Sequence, residues 1–115
     1  MDKPYLHSLL MSNRPFLKAL QEKAAARTLN IASDANLNVL IKILHLINLG
    51  EIKIHREHKD VIKNSLREQR LLRFQSKSFI SKLLKAPRFD KLEELRKLTK
   101  LYPTLLHSLF NKKTT

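Results

Sequence analysis

The chain has 115 residues and a mass of 13.5 kDa, enough for one core and too little for two. Lys and Arg number 23 against 10 Asp and Glu, a formal charge of +13, while 43% of residues are hydrophobic, which argues against intrinsic disorder and favours an anionic partner. With no Cys, no Trp and a single Gly, disulfides, thiolate metal sites, cysteine nucleophiles and glycine-rich phosphate loops are excluded.

Scarce Gly and Pro and abundant Leu, Lys, Ala, Glu and Arg favour helix almost throughout, because these side chains lose little rotamer freedom on a helix. Pro4 suits an early helical position ahead of Leu6, Leu9 and Leu10. Asn13 is placed to cap a second helix with Pro15 in its first turn and Phe16, Leu17 and Leu20 on its apolar side. Asp2 and Pro4 spoil a signal-peptide start, and Glu22 and Pro15 oppose an organelle presequence over residues 14–27, so the expected location is intracellular.

Ser33-Asp34 offers oxygens to the orphan N–H groups of a new helix running to about Leu49, which Gly50 then ends by taking the left-handed conformation. Leu37, Val39, Leu40, Ile41, Ile43, Leu44, Leu46 and Ile47 cover most of its sides, leaving a polar stripe at Asn38, Lys42 and His45; the pattern is that of a central core helix and falls short of a membrane span. Ile52 and Ile54 alternate with Glu51 and Lys53 as a short extended connector. From Arg56 to about Phe74 the pattern is helical again. Ser76 or Ser78 is placed to cap a short helix holding Phe79, Ile80, Leu83 and Leu84, which Pro87 closes.

Asp90 and Glu93 form a capping-box arrangement, and Leu92, Leu95, Leu98, Tyr102, Leu105, Leu106 and Leu109 continue an apolar stripe at helical spacing. Pro103 interrupts it, which predicts one helix near 90–101 and a last one near 103–111, kinked or broken at the Tyr102-Pro103 step. The expected fold is therefore all-α: a compact bundle of five to seven helices without a sheet, forming one domain over residues 1–111 with a frayed tail at 112–115.

Charge divides this domain. Residues 1–52 carry six Lys/Arg and four Asp/Glu, whereas residues 53–115 carry seventeen and six. The first half is near-neutral and core-rich, and the second is basic.

Within the basic half, Arg56, Lys59, Lys63, Arg67, Arg70 and Arg73 recur at spacings of three and four, which places them within an arc of about 120° on a continuous helix. Such a ridge follows phosphates, Arg giving forked contacts and Lys point charges. Leu66 and Phe74 fall inside the same arc, however, and a break near 65–69 would leave two shorter basic helices. Lys77, Lys82, Lys85 and Arg88 extend the positive region, with Phe79 and Phe89 interleaved. Phe79 has the i, i+4 partner Leu83 of a core position, so packing explains it better than base stacking.

His55 and His58 are three apart, whereas a zincin helix needs histidines four apart with Glu directly after the first, and Arg56 and Lys59 would repel a metal. His7, His45 and His107 read as surface or boundary residues. Glu93 is explained by its cap, and the serines lack the glycine context of a nucleophile elbow. No catalytic residue, metal site or cofactor is expected.

The segment Ile47-Asn48-Leu49-Gly50-Glu51-Ile52-Lys53-Ile54, followed by Lys59, Lys63, Leu66-Arg67 and then Ser78, Lys82 and Leu83-Leu84, resembles small basic proteins encoded by short reading frames of Polinton-like and adintovirus-like mobile elements of invertebrates. The likeness covers the middle half of the chain and transfers no established catalytic or binding residue. The chain departs from the group in a less dense basic stretch and in Leu101-Tyr102-Pro103-Thr104-Leu105-Leu106, where the group has a glycine-rich apolar tail. The resemblance implies a virion-associated or element-encoded accessory protein, located in the nucleus or the virion and suited to condensing DNA.

The leading expectation is a non-enzymatic protein that binds nucleic-acid backbone, DNA in preference to RNA, through residues 53–100. The alternatives are a homo-oligomer or protein-interaction module docking through Tyr102, Leu105, Leu106, Leu109 and Phe110, or a basic face on an anionic membrane surface.

Overall fold

The computed structural model describes residues 3–22, 24–50 and 71–110. They form seven α-helices, α1 (Lys3–Ser12), α2 (Arg14–Glu22), α3 (Ala25–Ile31), α4 (Asp34–Asn48), α5 (Lys77–Lys85), α6 (Arg88–Arg96) and α7 (Tyr102–Phe110), with a 3₁₀ turn, η1 (Leu71–Gln75), before α5. Among the described residues there is no strand, and the fold is all-α as the sequence predicts. The Cα radius of gyration is 13.1 Å, close to the value of about 13 Å for a folded chain of this length.

Helix α4 is the centre. Its Leu37, Leu40, Ile41, Ile43, Leu44 and Ile47 are all buried, and η1, α5 and α6 pack against it. Ser33 starts the helix by accepting the Asn36 N–H at 3.1 Å. Gly50 follows its end with φ +79°, where a Cβ would be strained although nothing crowds it. On the polar stripe, Lys42 is exposed, whereas His45 is half-buried and its Nδ1–H donates to the Phe74 carbonyl, fastening η1 to the helix.

Several boundaries differ from the sequence expectation. Asn13 makes no side-chain cap on α2; its amide donates back to the Leu9 carbonyl at 2.9 Å, and its Oδ1 accepts from Asn36 at 3.1 Å, so it joins the end of α1 to α4. Helix α3 is separate from α2, with Ala24 extended before it. No glycine or proline marks that break; packing of α3 on α2 and α6 sets it.

Pro87 opens α6 as well as closing α5, because its carbonyl accepts from both Asp90 and Lys91. The helix thus begins two residues before Asp90, and the expected capping box is not its start. Residues 97–101 leave the helix through i→i−3 bonds, Leu98 to Leu95 and Leu101 to Leu98. That places the break ahead of Pro103, which sits in the first turn of α7, where its missing N–H costs nothing.

The long basic helix expected from Arg56, including the connector at Ile52 and Ile54 before it, lies outside the described residues up to position 70. Residues 71–75, where that helix is expected to end, form the 3₁₀ segment η1.

Candidate nucleic-acid interface

Two groups stand out among the cations of the described basic half. The first group holds the molecule together. Arg88 Nη1 pairs with Asp34 Oδ1 at 2.9 Å, and its Nη2 donates to the carbonyls of Asn30 at 3.0 Å and Leu29 at 3.5 Å. One guanidinium therefore closes the end of α3 and the start of α4 onto α6, and Arg96 adds a bond to the Asn30 side chain. Free carbonyls at a helix C-terminus attract such donors, as does the negative end of the helix dipole. Arg73 likewise pairs with Glu94 at 3.2 Å and lies 5.6 Å from the centre of the Phe79 ring. Phe79 itself meets Phe74 edge-on, with ring centres 5.3 Å apart, which makes it a packing residue as its spacing indicated.

The second group is free. Helix α5 buries Ile80 and Leu83 and half-buries Phe79 and Leu84, so its other side faces solvent. That side carries Lys77, Ser78, Ser81, Lys82 and Lys85, all exposed, over an arc of about 140°. The helix contains no carboxylate, and none of its three lysines meets an anionic partner among the described residues. Lys82 and Lys85 stand in the last turn, where the helix dipole favours them. Lys77 stands at the opposite end, where the dipole opposes it, and a bound anion would relieve that repulsion. Ser76 sets the helix in place by accepting the Phe79 N–H at 3.2 Å.

Of the ten cations expected to meet nucleic acid, Lys77, Lys82 and Lys85 share one free helix face, and Arg73 and Arg88 are committed to internal contacts. Arg56, Lys59, Lys63, Arg67 and Arg70 lie outside the described residues, as do His55 and His58. Lys100 is exposed beyond the end of α6, where no periodic pattern singles it out.

The C-terminal helix corrects the expectation of an apolar docking face. Tyr102, Leu105, Leu106 and Leu109 are buried, because α7 packs on α2 more extensively than any other pair of described elements meets. Phe110 is half-buried beneath Arg14 and Lys18, whose charged ends lie 5.6 and 5.4 Å from its ring centre. The first four are core and Phe110 is partly covered, so these residues leave no free apolar stripe for a partner.

A shallow cleft between α2 and α7 is lined by Gln21, Glu22, Pro103, Thr104 and His107. Gln21 Nε2 and His107 Nδ1 meet across it at 3.5 Å, and Glu22 makes it unsuited to an anion. Among the described residues no three His, Asp or Glu side chains converge to hold a metal ion. Comparison of the chain with protein-family models, curated proteins and solved structures finds no match.

Proposed function

We propose that the chain is a non-enzymatic helical protein that binds the nucleic-acid backbone without strong sequence specificity. The observation that carries this reading is the carboxylate-free face of α5, where Lys77, Lys82 and Lys85 project from one side of a helix whose other side is anchored in the core. Phosphates reward such an array by releasing the counterions condensed on them. The serines between the lysines add neutral donors for phosphate oxygens without reading base edges. Arg56, Lys59, Lys63, Arg67 and Arg70, which the sequence offers as further phosphate contacts, lie outside the described residues.

DNA is the preferred partner in the setting implied by the resemblance to mobile-element proteins, where a basic accessory protein of the virion or nucleus would condense it. A lipid surface finds less support, because among the described helices the lysine face of α5 presents no exposed large apolar side chain to insert. None of those helices is long and apolar enough to cross a membrane.

The test is a binding titration on random-sequence duplex DNA at several salt concentrations. Neutralising about five phosphates gives a plot of log affinity against log salt with a slope near −4.5. A slope near zero, or no binding at low salt, would overturn the proposal.

A further inference from the structure

Among the aromatic side chains of the described basic half, Phe74 and Tyr102 are buried and Phe79 and Phe110 half-buried, but Phe89 stands in solvent at 67% exposure. Most of the burial that a phenyl ring can gain on folding is left unrealised there.

The corner between α5 and α6 fixes where Phe89 stands. The Ala86 N–H closes α5 onto the Leu83 carbonyl at 3.1 Å, and the Pro87 carbonyl opens α6 by accepting from Asp90 at 3.0 Å and Lys91 at 3.3 Å. Arg88, directly before Phe89, ties that start to Asp34 and to the Asn30 carbonyl. Lys85 ends the free lysine face only four residues earlier in the chain, so its Cα lies within about 14 Å of that of Phe89. Side chains on a helix lean toward its N-terminus, which turns the Phe89 ring toward this corner and away from Glu93, one turn further along α6.

We infer, on the reading of α5 as a backbone-binding face, that Phe89 is a stacking platform for an unpaired base, and that the strand whose phosphates lie on α5 is single-stranded. The two groups divide the ligand by chemistry. Lys77, Lys82 and Lys85 meet the charged backbone, and the Phe89 ring meets the face of a base. That face is uncharged, so the exposed carboxylates nearest Phe89, Asp90 and Glu93, do not repel the group that touches the ring. A duplex hides the faces of its bases against one another, whereas every unpaired base offers one, and stacking of this kind is tolerant of sequence. A cationic track followed by an aromatic ring on a fixed helix is the combination by which single strands are held without base reading.

Anisotropy titrations of the full chain with a labelled oligo(dT) strand and with a random-sequence duplex of equal length test the inference. Phe89→Ala should weaken binding to the strand about tenfold, the loss of one stacked base. Duplex affinity, the salt slope on both ligands and the helical circular dichroism should stay unchanged. The chain has no Trp, so Phe89→Trp supplies a single reporter that keeps the stacking surface. That variant should hold the strand at least as tightly as the natural chain, with its emission quenched by the strand and not by the duplex. Strand affinity indifferent to Phe89→Ala, an equal loss on strand and duplex, or an emission that the strand leaves unchanged would overturn the inference while leaving backbone binding by α5 in place. Absence of binding to either ligand at low salt by the natural chain would overturn backbone binding itself, and the role of Phe89 with it.

Discussion

Tyr102 is the largest of the fully buried side chains among the described residues, and its hydroxyl donates to the Leu95 carbonyl at 2.7 Å across the turn that joins α6 to α7. A buried phenol needs such a partner, since an unpaired hydroxyl would forfeit its bonds to water. Phenylalanine at this position keeps the ring and loses the bond, so Tyr102→Phe should lower stability by about 1 kcal/mol in urea unfolding. Burial also raises the pKa of Tyr102 well above its ordinary value of 10.0. In the unfolded chain the phenol ionises near that value while the folded protein still holds the proton. Stability is therefore unaffected below the unfolded pKa and declines above it, by up to about 1.4 kcal/mol per pH unit, until the folded pKa is reached. Tyr102→Phe should remove this component of the alkaline loss, and parallel urea curves across that pH range would reveal it. An equal decline in both proteins would show that Tyr102 is not its source.

At the scale of helices, Ser33 and Ser76 each cap the helix that follows by accepting an N–H three residues on, at 3.1 and 3.2 Å. Alanine at either should cost about 1 kcal/mol. The consequences differ because the helices differ: α4 carries the centre of the core, whereas α5 presents the free lysines. Ser33→Ala should therefore lower the urea midpoint with little effect on DNA affinity, and Ser76→Ala should lower both. A DNA affinity untouched by Ser76→Ala would mean that ordering of α5 does not matter to binding. These two caps, and Gly50, are legible from sequence because a side chain or a glycine marks the boundary itself. The starts of α3 and α6 are not, since Ala24 and Pro87 offer no capping oxygen and the surrounding helices set where the chain turns. The candidate site was legible in the same uneven way. Residue type and spacing pick out the cations, but their partners lie far along the chain, 21 residues away for Arg73 with Glu94 and 54 for Arg88 with Asp34. The burial of α7 was equally hidden, because an apolar stripe reads the same whether its partner lies in this chain or another.

For the molecule as a whole, net charge brings any polyanion close, but only cations free to meet phosphates set the salt dependence of binding. Replacing Lys77, Lys82 and Lys85 together with Ala removes three candidate phosphate contacts without touching the core side of α5. At about 0.9 per contact on duplex DNA, the slope of log affinity against log salt should become shallower by about 2.7. Arg88→Ala removes one charge from the same half of the chain but a different kind of contact. Its guanidinium is partly exposed, with its side chain at 36%, and pairs with a largely exposed Asp34, so the ion pair itself contributes little. Its bonds to the Leu29 and Asn30 carbonyls carry the remainder, and their loss should cost about 1 kcal/mol of stability. That variant should leave the salt slope unchanged while lowering the urea midpoint. If Arg88→Ala instead flattened the slope by about 0.9, Arg88 would be meeting a phosphate in the complex, and its internal bonds would be exchanged on binding. If the triple lysine variant left the slope where it was, α5 would lose its place as the binding face.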